Sequence, residues 1–180
     1  LTRDNATKFN NDFNVDFFPI TEPVIEGVAT RVMSLRDGTK KMSKSDASDM
    51  SRINLTDSAE LISKKIKKAK TDPDPLPSDV DGLTNRPEAK NLVNIYSGLS
   101  GLSTQVILSE NGGRDFSKFK PELAELAVSV LTPISNEITH LMKEPDQIDK
   151  ILGNGAAKAA KIANPILEQT YDIVGLIRSK

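Results

Sequence analysis

The sequence has no cysteine and a single histidine, His140. The first absence excludes a disulfide framework and a thiolate metal site, and it is compatible with a cytoplasmic setting, the location expected here. One imidazole cannot build a metal centre without several carboxylates, so His140 reads as a structural or surface residue. No apolar run approaches the ~18 residues a membrane-crossing helix needs, and no leader-like stretch is visible, so no membrane role is expected. Aromatic residues make up only 4% of the chain, against 37% hydrophobic residues drawn mostly from Leu, Ile, Val and Ala. That mixture suits a largely helical protein better than a β-sandwich. Charge of one sign is also lacking. The formal net charge of −1 over 180 residues provides no global field for nucleic acid, and any such contact must come from local patches.

What is present changes character along the chain. Residues 1–13 read as a helix, with Leu1, Ala6, Phe9 and Phe13 near one face. The opening on Leu1 inside an amphipathic pattern suggests a piece of a longer protein. A proline-broken apolar stretch follows over 17–25, then a short strand at 30–33, β-branched at two positions. Residues 35–51 are polar, with Gly38 offering a turn, and predict a long exposed loop. Asp57 followed by Glu60 predicts a capping box opening a helix, with Leu61, Ile62, Ile66 and Ala69 as its apolar stripe. The lysines at 64, 65, 67, 68 and 70 form a basic run on that helix, read as a solvated face rather than a phosphate contact.

Residues 71–86 are proline-rich and acidic, a loop. Pro87 suits a first helical position, and the helix lined by Leu92, Val93, Tyr96 and Leu99 can end at Gly101. Ser103 can cap a short helix stopping at Asn111-Gly112. Pro121 is expected to open a long helix to about Met142, kinked at Pro133. A short helix over 145–152 should end at Gly153, and a last helix should run over 155–177 with a kink at Pro165. Tyr96 and Tyr171 fall in helical apolar patterns, which favours packing over base stacking. The fold expected is mainly α: an α/β remnant, a mobile loop, then a helical bundle.

The chemistry is concentrated in Lys41-Met42-Ser43-Lys44-Ser45. Two ammonium groups at i and i+3, two hydroxyls and free backbone N–H groups in one tight stretch match a polyphosphate, whose oxygens need cations and donors together. Arg36 and Lys40 just upstream add positive charge. A loop can close over phosphates when the reaction begins. This string is also the KMSKS signature of class I aminoacyl-tRNA synthetases, and a chance match in a chain this long is on the order of 10⁻⁴.

The surroundings resemble tryptophanyl-tRNA synthetases in particular. Residues 30–37 resemble the strand and turn before that family's signature, and Asp46 after it is usual there. Leu1-Thr2-Arg3-Asp4 with Phe9-Asn10 looks like the helix after the family's Gly-Glu-Asp-Gln segment. Residues 62–72, 91–97 and 155–159 are similar to the same family, so the likeness spans nearly the whole chain, weakest over 71–86.

The resemblance implies that residues 1–52 end a Rossmann-type catalytic domain bearing the signature loop. Residues 53–180 would form an all-helical anticodon-binding region whose last helix packs back on the catalytic domain. It implies activation of tryptophan by ATP, with Mg2+, to tryptophanyl-adenylate, and transfer to tRNA(Trp) by a homodimeric enzyme. Lys41 and Lys44 would carry the catalytic charge stabilisation, Ser43 and Ser45 would add donors, and Val32 and Met42 would border the adenine. The family's His-x-Gly-His-type signature, its Gly-Glu-Asp segment and its tryptophan pocket are not in these residues, so the 180 residues alone are expected to be inactive. A tyrosyl-tRNA synthetase piece, sharing fold and mechanism, is the nearest alternative. A non-catalytic helical module binding RNA or protein is the alternative from another class.

Overall fold

The computed structural model describes residues 1–25, Gly27 and residues 30–177. Among these the chain is mainly helical, in the order α1 (Thr2–Phe13), a 3₁₀ turn (Asp49–Ser51), α2 (Ala59–Lys67), a second 3₁₀ turn (Asp81–Leu83), α3 (Pro87–Ser100), α4 (Thr104–Asn111), α5 (Phe116–Leu141) and α6 (Pro145–Val174). Among the described residues no helix is long and apolar enough to cross a membrane. The chain divides into two compact units by packing, Leu1–Ile25 with Glu144–Lys180, and Glu26–Lys143.

The unit Glu26–Lys143 holds the main core. Ile62, Ile66 and Ala69 from the α2 region meet Ala89, Leu92 and Val93 of α3, Ile107 and Leu108 of α4, and Phe116, Phe119, Leu123, Ala124 and Ala127 of α5. Burying each large side chain contributes about 1.5–3 kcal/mol. Helix α5 packs most extensively on α2, and also on α3, which in turn carries α4. Tyr96 stacks on Phe119 with ring centroids 5.6 Å apart, so it packs. His140 and Tyr171 are exposed.

Several expected punctuation marks act as read. Pro87 stands at the first position of α3, Gly101 ends it at φ +75°, and the Ser103 hydroxyl accepts from the Val106 amide to cap α4. Others do not. Ser58, not Asp57, caps α2, accepting from the Leu61 amide, because the Asp57 carboxylate is buried and engaged elsewhere. The long helix begins at Phe116, five residues before Pro121, because Phe116, Phe119 and Leu123 at i, i+3 and i+7 all reach the core. Their burial offsets the backbone hydrogen bond that Pro121 cannot make. Helix α5 continues through Pro133.

The two separate helices expected after residue 145 are one 30-residue helix, α6. Gly153 and Gly155 do not take the positive φ that a glycine stop requires, whereas Gly175 does, at φ +77°, and ends the helix there. The strand expected at 30–33 is reduced to a single antiparallel bridge, Met33 to Lys41. The loop 35–51 is not exposed throughout: Leu35 is 2% exposed and packs into the core, and Ser51 is buried.

In the other unit, α1 ends at Asn14 in the left-handed conformation, φ 52°. The Asn10 carboxamide then ties the returning chain, accepting from the Phe17 and Phe18 amides and donating to the Phe18 carbonyl at 2.8 Å. This gathers Phe9, Phe13, Phe17 and Phe18 into one aromatic cluster.

Candidate functional site

The signature segment leaves a short hairpin. Ser34 N–H donates to the Lys40 carbonyl at 2.8 Å, and Met42 N–H donates to the Val32 carbonyl at 3.1 Å, on either side of the Met33–Lys41 bridge. The turn is closed by Asp37, which accepts from the Thr39 amide at 3.0 Å and its hydroxyl at 2.6 Å. Those bonds from Thr39 hold the Asp37 carboxyl below its ordinary value. Gly38 lies against the start of α3, where a β-carbon would stand 2.6 Å from the Glu88 nitrogen and the Pro87 carbonyl carbon. Close approach, rather than flexibility, calls for glycine at this turn.

The free edge of the hairpin is taken by a side chain. Buried Asn91 of α3 accepts from the Met33 amide at 3.0 Å and donates to the Met33 carbonyl at 3.0 Å, pairing with this residue as a neighbouring strand would. Leu35 ties the hairpin further, its N–H to the Ser51 carbonyl at 2.9 Å and its carbonyl to the Lys70 amide at 2.8 Å. The signature loop therefore hangs between a fixed front stem at Met42 and a fixed rear stem at Ser51.

Between the stems the loop is held mainly by its own short bonds. The hydroxyls of Ser43 and Ser45 lie 3.1 Å apart, and the Ser48 amide donates to Asp46 at 2.8 Å. Lys41 and Lys44 are exposed, while Val32 and Met42 are half-buried, with Met42 packed on the core. Val32, Lys41, Met42, Ser43 and Lys44 line one cleft of about 490 Å³, and Ser45 stands outside that lining, bonded to Ser43.

Two cations that the sequence reading did not single out, Arg31 and Arg52, also line the cleft. Among the described residues no carboxylate does. The Arg52 guanidinium donates to the Asp46 carbonyl at 3.0 Å and pairs with Asp49 at 3.2 Å. Arg36 and Lys40, expected to add to the positive patch, turn away. Arg36 donates to the Lys68 carbonyl at the end of α2, and Lys40 pairs with Asp37 at 3.4 Å. A cationic rim beside an apolar wall of Val32, Met42, Ile53 and Leu55 suits a ligand that is anionic at one end and flat and apolar at the other. No group of three or more His, Asp or Glu among the described residues could hold a metal ion.

The basic run on α2 departs most from its reading. Lys65 is fully buried, its ammonium 2.6 Å from Asp57 and 2.7 Å from Asp49. The signal was available: residues 62, 65, 66 and 69 fall at i, i+3, i+4 and i+7, one face of a helix. Burial opposes the charge on Lys65, but the two carboxylates outweigh it and hold the ammonium above its ordinary value.

Comparison with known proteins places the chain in a family. Residues 1–132 match the family profile described as tRNA synthetases class I (W and Y). The tryptophan–tRNA ligase of Agrobacterium fabrum is 52% identical over 99% of this chain and 56% of its own length. That of Rickettsia conorii is 45% identical over 98% of this chain and 53% of its own. The solved tryptophanyl-tRNA synthetase of Mycoplasma pneumoniae superposes with a TM-score of 0.81 at 26% identity, over 97% of this chain and 52% of that one. The chain thus spans about half the length of the curated relatives it matches. With the family profile covering well over half of its residues, the chain belongs to the class I tRNA synthetases of the tryptophan and tyrosine group.

Proposed function

We propose that this chain supplies the ATP-phosphate loop and the tRNA-binding helices of a tryptophan–tRNA ligase. The observation that carries this reading is the shared cleft: Lys41 and Lys44 on its rim, Val32 and Met42 on its wall, and no carboxylate among the described residues that line it. The tryptophan carboxylate attacks the α-phosphate of ATP, the bond to the β-phosphate oxygen breaks, and pyrophosphate leaves carrying the negative charge. Lys44, assisted by Lys41, stabilises that charge as it develops, and Ser43 and Ser45 add donors. Val32 and Met42 border the adenine. The tryptophanyl group then passes from the adenylate to tRNA(Trp).

The magnesium that accompanies ATP finds no carboxylate cluster among the described residues, so no step is assigned to it on this chain. Residues 1–52 serve the catalytic domain and residues 53–180 the tRNA-binding region, in a homodimeric enzyme of the cytoplasm. Half an ATP site does not preorganise a reaction, and the 180 residues alone are expected to show no exchange activity.

The test is Lys44→Ala in a complete synthetase carrying this chain. Tryptophan-dependent ATP–pyrophosphate exchange should slow about 10²–10³-fold, far more than ground-state ATP binding weakens. Equal losses in rate and binding would contradict the role given to Lys44.

A further inference from the structure

The charged group most out of place is Lys65. Ile62, Ile66 and Ala69 share its face, and an apolar side chain there would complete the core stripe. An ammonium in that position is no stronger than a well-packed apolar residue, and such buried ions are best understood by the arrangement they impose. Here the arrangement is explicit. One Asp49 oxygen takes Lys65, while the other takes the Arg52 guanidinium at 3.2 Å and the Asn54 carboxamide at 3.1 Å. Asp57 takes Lys65, the Asn54 amide at 2.9 Å and the Asn54 carboxamide at 3.2 Å. Every oxygen of the two carboxylates is engaged. Lys65 itself does not line the cleft, but it holds Asp49, and Asp49 holds Arg52, which does.

We infer that Lys65 is a positioning residue for the signature loop: through Asp49 it fixes the rear stem and aims Arg52 at the cleft, so that the loop meets a triphosphate from one pose. This deepens the proposed function and rests on it for the identity of the ligand. The physical reason is population. A loop loosened at one stem spreads over more poses, and apparent affinity falls by the fraction of molecules that remain competent. Lys65 thus acts on ATP capture, whereas Lys44 acts on the chemical step.

The variant that isolates the tie is Asp49→Asn. Asp49 is half exposed, and the buried Lys65–Asp57 pair survives its neutralisation, so the core keeps its charge balance. Amide hydrogen exchange in the 180-residue chain should quicken about three- to tenfold at Leu35 and Ser51, which report the rear stem, and stay unchanged at Val93 and Leu123 in the core. In a complete synthetase the KM for ATP should rise by a similar factor while the KM for tryptophan is unchanged. Unaltered exchange at Leu35 and Ser51 overturns the inference. So does faster exchange with both KM values unchanged, since the tie would then be structural only. A merely unstable protein would lose kcat with neither KM moved. If Lys44→Ala leaves pyrophosphate exchange intact, the functional reading falls instead, and the hydrogen-exchange result still judges the tie.

Discussion

Glu88 shows how a single side chain beside the site links stability to pH. Its carboxylate, mostly buried at the start of α3, accepts from Lys70 at 2.9 Å just beyond α2. Lys70 holds the Glu88 carboxyl below its ordinary range, and Glu88 in turn holds the Lys70 ammonium above its own. The depressed acid contributes stability that is fully present above the unfolded glutamate value, about 4.3, and lost as pH falls through the lower folded value. The raised base contributes stability present below about 10.4 and lost as pH rises through its folded value. Glu88→Gln should therefore lower the thermal midpoint at neutral pH and narrow its gap from wild type as pH falls below about 4. Midpoints measured across the acid range check this, and a constant gap would remove Glu88 as the titrating group.

At the scale of the element, what could be read from the sequence was what depends on near neighbours. The Ser103 cap, Pro87 at a helix start and Gly101 at a helix end are decided within a few residues, and they stand where expected. The departures are decided at a distance. Asp57 has the right chemistry for a cap, but Lys65 claims it from eight residues on. Pro121 fails to open its helix because two phenylalanines upstream find a core built by α2 and α3.

The site divides in the same way. The signature string carries its cations in plain sight, whereas Arg52 joins the cleft through a fold-back and Asn91 meets Met33 across 58 positions. Asn91 yields a direct prediction. Asn91→Ala leaves the Met33 amide and carbonyl without their partners, each costing about 1–3 kcal/mol where buried. Urea denaturation should show a loss of about 2–4 kcal/mol, with the Met33 amide exchanging faster than the rest of the unit Glu26–Lys143. A loss under half of that would mean water replaces the carboxamide.

For the whole molecule, burial is uneven between the two units. The sixteen side chains of the buried core cluster all belong to the unit Glu26–Lys143. Helix α6 is 30 residues long and buries none of its side chains, leaving Ile151 55%, Leu152 64% and Ile162 72% exposed. A helix with no fully buried side chain depends heavily on its own backbone energetics, and this one carries Gly153 and Gly155 at about 1 kcal/mol each and Pro165 at about 3 kcal/mol relative to alanine. Helical stability in proteins comes mostly from packing of an apolar face, and most of the large apolar side chains of α6 remain exposed. Amide exchange across residues 145–174 should therefore run at least a hundredfold faster than at Leu92, Val93, Phe119 and Leu123, whose opening requires loss of the core. The ordering within α6 is also fixed. Amides near Gly153 and Pro165 should exchange first, because the helix is weakest where a glycine adds chain entropy and a proline removes a hydrogen bond. Protection of α6 equal to that of α3 would mean that its exposed isoleucines and leucines are covered in solution, by a second copy of the chain or by another surface, and a concentration series of the exchange rates would tell which.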